Sequence, residues 1–229
     1  TRALLAAGGR VGAIERDHRC CAALATLREQ AGERLTVIEA DALRVDIARL
    51  AAETGVVEPW VIVANLPYNI GTELLVRWLH QLDHVASLHV LLQKEVVERI
   101  AASPASPSFG RLAVLCQSLC RVRRCFDLAP GAFHPPPRVT SSLVELLPRP
   151  AAERPAGDRL QALEAVSRAA FGQRRKMLRT SLKALTTDPA GLLAAAGIAA
   201  ERRPETLCLE EFRHLADAWQ ALRRSRGTA

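Results

Sequence analysis

Several things are missing from this chain of 229 residues. No apolar run approaches the ~18 residues that a membrane-spanning helix needs, and no secretory signal pattern is present. There is no internal repeat and no low-complexity tract, which argues against a solenoid or a disordered tail. Six cysteines occur, at 20, 21, 116, 120, 125 and 208, yet none forms a CxxC pair and no histidine stands at a metal-ligand spacing from them. A zinc site is therefore not expected, nor any other metal. Cys116 and Cys120 lie one helical turn apart in an apolar stretch and read as buried free thiols, so the expected compartment is the reducing cytoplasm.

What is present is enough apolar sequence, 49% of residues, for a substantial core. Lys and Arg number 31 against 24 Asp and Glu, a net charge of +7 that leans towards a polyanionic partner through counterion release. Up to about residue 150, short apolar runs alternate with amphipathic ones. Residues 10–15, 35–39, 60–65 and 87–93 read as strands covered on both faces, and 18–30, 45–52, 71–82 and 94–101 as helices between them. This alternation predicts an α/β fold, a mostly parallel sheet with crossover helices. A helix over 109–120 is followed by strands at 122–128 and 140–147. They are joined by a Pro-rich loop too short for a helix, so they are expected as an antiparallel hairpin at the sheet edge. Residues 148–157 (PRPAAERPAG) read as a linker. Helices alone are expected beyond it, at 159–171, 174–185, 189–196 and 209–224, with Asp188 and Pro189 marking a helix start. The expected domains are 1–150 (α/β) and 151–229 (small, all-α).

In open α/β sheets a ligand lies beyond the carboxyl ends of the strands. The first strand ends at Glu15, whose carboxylate can accept both hydroxyls of a ribose. The second runs into Asp41, which can accept from an adenine amine, while the amide of Ala42 or Leu43 can donate to a ring nitrogen. Acidic residues at strand ends are also ordinary helix caps, so these two are suggestive only as a series. The third strand ends in Asn65-Leu66-Pro67-Tyr68-Asn69-Ile70 and is more specific. Pro67 fixes its own φ and biases Leu66 towards an extended backbone, turning the Leu66 carbonyl out of the sheet. The Asn65 side-chain oxygen and that carbonyl form two acceptors for one exocyclic NH2, and Tyr68 offers a ring for a planar base.

The segment Asn65 to Ile70 resembles the NLPY motif of the ribosomal RNA adenine dimethyltransferases. Gln93 to Arg99, Phe109 to Leu112, Phe133 to Val139 and Ala170 to Lys176 resemble further family segments, in the family's order. Arg174-Arg175-Lys176 leading into Leu178 to Leu182 looks most like the small-subunit branch. The resemblance implies a Rossmann-like class I methyltransferase domain, S-adenosylmethionine as cofactor, and N6,N6-dimethylation of adenosines in small-subunit ribosomal RNA. It gives Glu15, Asp41, Ala42 and Asn65 to the cofactor. Asn65 and Leu66 are implied at the target N6, with Tyr68 and Phe133 stacking on the target base. Arg174, Arg175, Lys176, Arg179 and Lys183 are expected to grip RNA, with Arg175, Arg179 and Lys183 as one helical stripe. Arg121, Arg123 and Arg124 form a second basic group. The expected partner is a pre-ribosomal particle, bound by a monomer without a membrane.

The chain departs from the family pattern at its start. Thr1 matches a Thr that follows the family's first strand and Gly-rich turn, so that strand and turn are expected to be missing, leaving a gap in the sheet. Rival readings are a large-subunit RNA methyltransferase, a DNA adenine methyltransferase, a non-catalytic nucleic-acid-binding protein of the same fold, and a dinucleotide-dependent dehydrogenase. Leu66 counts against the DNA enzymes, which carry a Pro there, and nothing in a dehydrogenase explains the NLPY segment.

Overall fold

A computed structural model describes residues 1–54 and 59–227. They form two units, one of residues 1–62 with 67–86, the other of 63–66 with 87–229.

In the first unit a short helix, α1 (Arg2–Ala6), precedes strand β1 (Val11–Glu15), helix α2 (His18–Ala31) and strand β2 (Leu35–Glu39). The strands pair in parallel, residue for residue from Val11↔Leu35 to Glu15↔Glu39. Asp17 starts α2 by accepting the Arg19 amide at 2.9 Å, the usual use of a carboxylate on orphan helical amides. Cys21, Leu24, Leu27 and Ala31 recur at helical spacing on the less exposed side of α2, but no residue of that helix is fully buried. Helices α3 (Ile47–Thr54) and α4 (Gly71–Leu79) follow in the chain. The Ile47 amide donates to the Gln81 side chain at 2.8 Å, and α4 buries Leu74, Leu75, Trp78 and Leu79.

Strand β3 (Trp60–Asn65) leads the second sheet, whose order is β3-β4-β6-β5, with β4 Val85–Gln93, β5 Cys120–Leu128 and β6 Ser141–Pro148. The predicted antiparallel hairpin is present, β5 at the edge and β6 running antiparallel to both β4 and β5. Leu88, Val90, Leu92, Val144 and Leu146 alternate into the core of this sheet, as a period of two requires. Helices α5 (Lys94–Ile100) and α6 (Arg111–Leu119) lie between β4 and β5, and α6 passes into β5 without a linking residue.

Past residue 150 only helices occur among the described residues: α7 (Gly157–Gly172), α8 (Leu178–Ser181), α9 (Pro189–Ala195) and α10 (Leu209–Gly227), with 3-10 turns before α7, after α8 and after α9. Asp188 caps α9 through the Gly191 amide, and Pro189 fills its first turn, as the sequence indicates. The helix expected over 174–185 is a correction. Helix α7 stops at Gly172, Gln173 leaves helical geometry, and residues 173–176 form a turn closed by Lys176 N–H to Gln173 O. Met177 is extended, and the fully buried Leu178 restarts the chain as α8 with its amide on the Arg202 carbonyl. Burial of Leu178 and Leu182 decides this geometry over helix propensity. One apolar cluster joins Phe109, Ala113 and Val114 to Leu163, Leu178 and Phe212. Inside it Phe171 stacks on Phe212 at 5.6 Å between ring centres and meets Phe109 edge-on at 6.1 Å.

Candidate active site and RNA-binding surface

In the first unit, Glu15 and Asp41 meet at the carboxyl ends of adjacent parallel strands. Glu15 Oε1 accepts the amides of Arg16 and Asp17 at 2.7 and 2.8 Å, which folds the turn after β1 onto the carboxylate. The Ala40 amide donates to the Glu15 carbonyl at 2.9 Å and ties the end of β2 to it. Asp41 caps a 3-10 turn, Ala42–Arg44, with Oδ1 on the Leu43 amide at 3.0 Å, while its other oxygen is 3.9 Å from Arg16. The Leu43 amide is thus already engaged, which leaves Ala42 as the residue to offer an amide beside Asp41. Tyr68 is partly exposed, and the carbonyl of Pro67 accepts the amides of Ile70 and Gly71, turning the chain into α4.

In the second unit Asn65 closes β3 with its side chain exposed, whereas Leu66 is buried. The Leu66 amide donates to the Leu91 carbonyl of β4 at 3.3 Å, the last tie before Pro67, which has no amide to give. Phe133 is half-buried in the 129–140 loop. A 3-10 turn, Pro130–Ala132, precedes it, and its amide donates to the Pro130 carbonyl.

The basic residues are distributed differently from the stripe. Arg175 and Lys176 are exposed on the turn before α8, Arg179 lies on α8 facing Glu201 at 3.8 Å, and Lys183 is exposed one element later. Arg175 therefore shares no helix face with Arg179. On β5, Arg123 is bound to Glu145 at 2.9 Å, and Arg124 to Asp127 and Glu98. These two are occupied by carboxylates of their own unit.

A stronger cationic feature escaped the sequence. Arg99, Arg111, Arg168 and Arg174 line one cavity of about 380 Å³, together with Gly110 and Phe171. Among the described residues, the side chains of Arg99, Arg111 and Arg168 have no ion-pair or hydrogen-bond partner. Helix α6 begins there at Gly110 with no side-chain cap, adding the positive end of its dipole. The carboxyl end of α7 lines the cavity too, but its partial negative charge is small beside four guanidiniums. The four come from three distant segments, and their convergence is a property of the helix packing. In sequence only Arg174 belonged to a visible basic run.

The mixed α/β topology, with Glu15, Asp41 and Asn65 at strand ends, is that of the Rossmann-like methyltransferase fold. Two solved structures share this fold: a dimethyladenosine transferase from Plasmodium falciparum (TM-score 0.71, 21% identity, 90% of this chain and 80% of that one) and the 23S rRNA methyltransferase ErmE (TM-score 0.64, 20% identity, 92% and 82%). The family model for ribosomal RNA adenine dimethylase matches residues 1–220, and the chain belongs to that family. Its relatives include proteins named ribosomal RNA small subunit methyltransferase A. The one from Rhodospirillum rubrum is 50% identical over 222 residues, 96% of this chain and 74% of that protein. The one from Mesorhizobium japonicum is 52% identical over 223 residues, 95% and 78%.

Proposed function

We propose that this protein transfers methyl groups from S-adenosylmethionine to the N6 amines of adenosines in small-subunit ribosomal RNA, giving N6,N6-dimethyladenosine. The observation that carries this reading is the Asn65-Leu66-Pro67-Tyr68 strand end in a chain of this family. Its place of action is the cytoplasm, on a pre-ribosomal particle, as a monomer. No helix among the described residues is long and apolar enough to cross a membrane.

The residues present fit the nucleoside half of the cofactor. Glu15 keeps one carboxylate oxygen for the ribose hydroxyls while the other holds its own turn in shape. Asp41 and the Ala42 amide offer an acceptor and a donor side by side, the pair that an adenine edge requires. Bound S-adenosylmethionine supplies an electrophilic methyl on a sulfonium centre. The adenine N6 is a weak nucleophile because its lone pair is spread into the ring. Asn65 Oδ1 and the Leu66 carbonyl accept its two hydrogens, favour a pyramidal nitrogen and aim the lone pair. Tyr68 and Phe133 stack on the base, a contact worth roughly 1–3 kcal/mol per base, which helps hold it splayed out of the RNA. Orientation in a dry pocket then supplies much of the acceleration. No strong general base is needed, since the nitrogen proton becomes acidic only after alkylation.

The helical segment 151–229 serves RNA binding, and the arginine cavity beside α6 suits a backbone phosphate better than exposed side chains alone do. Replacing Arg99 or Arg168 by Ala should flatten the dependence of log affinity on log salt by about 1 per residue, measured by RNA binding between low and high salt. An unchanged slope would remove the cavity from the RNA surface.

The deciding experiment is transfer of labelled methyl to immature small subunits, with large-subunit RNA and DNA as controls. Asn65→Ala should abolish transfer and leave the fold intact by circular dichroism. Full activity in that variant would refute the N6 clamp. Methylation of large-subunit RNA alone would move the substrate.

A further inference from the structure

The 129–140 loop that carries Phe133 has both of its ends fastened to one residue. The Lys94 amide donates to the Thr140 carbonyl at 2.9 Å, and the Lys94 ammonium lies 3.3 Å from Asp127 Oδ2, just before the loop opens. Asp127 is the hub of this fastening. Its Oδ1 accepts the Ser142 hydroxyl at 2.6 Å and the Arg124 guanidinium at 3.1 Å, and Arg124 reaches on to Glu98 of α5 at 3.8 Å. The arrangement stands where β5 needs it, because the strand loses register between Arg124 and Phe126 and a bulge there re-aims the chain. Lys94 also follows β4 directly, three residues after Leu91, whose carbonyl holds the Leu66 amide. A continuous path of bonds thus runs from the Leu66 strand end, through β4 and Lys94, to both ends of the Phe133 loop.

We propose that Asp127, cross-braced by Lys94, is a positioning residue that sets the Phe133 loop against the strand end bearing Asn65 and Leu66, an inference that rests on the base-binding role proposed for those residues. The Arg124 guanidinium first, and the Ser142 hydroxyl second, hold the Asp127 carboxyl well below the usual carboxylate range. Its use is geometric, and it acts on the target base only through Phe133.

The test is a double-mutant cycle in the full-length protein, read as kcat/KM for methyl transfer to immature small subunits, with KM for S-adenosylmethionine measured alongside. Phe133→Ala should lower kcat/KM roughly tenfold or more, the size of one lost base stack. Asp127→Asn should cost roughly tenfold with KM for the cofactor unchanged, and Asp127→Glu should recover most of it. In the Phe133→Ala background, Asp127→Asn should cost less than about twofold, since coupled residues are not additive. Lys94→Met attacks the brace from the other side and should reproduce Asp127→Asn, with Lys94→Arg as its rescue. Wild-type activity in Phe133→Ala overturns the base-stacking role itself. A Phe133 effect to which the Asp127 effect simply adds, or an Asp127→Asn variant of full activity, overturns the positioning role alone.

Discussion

Strands β1 and β6 read alike in sequence, short and apolar, yet they live in different surroundings. Every residue of β1 is half-exposed and α2 beside it buries none fully, whereas β6 places Ser141, Ser142, Val144 and Leu146 at or near zero exposure. The second unit carries the closed aromatic and aliphatic cluster around Phe109 and Phe212. The carboxylates proposed for the cofactor stand at the ends of β1 and β2, beside the half-exposed part of the first unit, and the arginine cavity stands on the unit that carries the aromatic cluster. The lesson is that an apolar run predicts a strand but not how well it is covered, because cover depends on which other segments arrive.

The largest test of this contrast is in the cores. Phe212→Ala should cost about 3–5 kcal/mol in denaturant unfolding, as a fully buried aromatic does, while Ile14→Ala in β1 should cost about 1 kcal/mol. Equal losses would erase the difference between the units. Thiol labelling probes it more gently. Cys20 and Cys208 are exposed and should react at once. Cys116 and Cys120 are fully buried, and burial pushes the Cys120 thiol up to about 12, so both should wait for global unfolding. Half-buried Cys21 on α2 should react well before them, through local opening of the first unit. Labelling of Cys21 only with Cys116 would mean that the two units open together.

Acid is the smallest lever. Asp127 has a folded-state pKa below its unfolded one, so its contribution is present above about pH 4, the unfolded value. It fades as pH falls towards the folded value. The stability gap between the wild type and Asp127→Asn should therefore be level near neutrality and shrink below about pH 4, followed by unfolding midpoints from pH 7 to pH 3. Asp17, lowered by its exposed neighbour Arg19 in the first unit, should show the same sign with a smaller gap.

Much of this was legible in advance because it is local. The strands ending at Glu15, Glu39, Asn65 and Gln93 announce themselves by apolar runs, the Asp188-Pro189 start by capping chemistry, and the hairpin by a loop with no room for a helix. The Asn65 to Tyr68 signal is local too, since Pro67 constrains its own neighbours. What failed to show was decided at a distance. Residues 173–176 have good helical propensity but form a turn, because Leu178 is drawn into a core made by residues far away in sequence. Arg99, Arg111 and Arg168 are unremarkable one by one, and the Lys94–Asp127 brace joins residues 33 positions apart.

The aromatic cluster has a practical consequence for anyone wishing to redirect this protein to another RNA. Phe109 precedes α6 in the α/β half of the chain, while Phe171 and Phe212 belong to the terminal helices. A chimera cut at the Pro-rich stretch near residue 150 would separate rings that share one interior and strand each half with an open apolar socket. The exchangeable piece is not the tail alone. A graft that moves the helices must carry the Ala102 to Val114 segment with them, or redesign it to match.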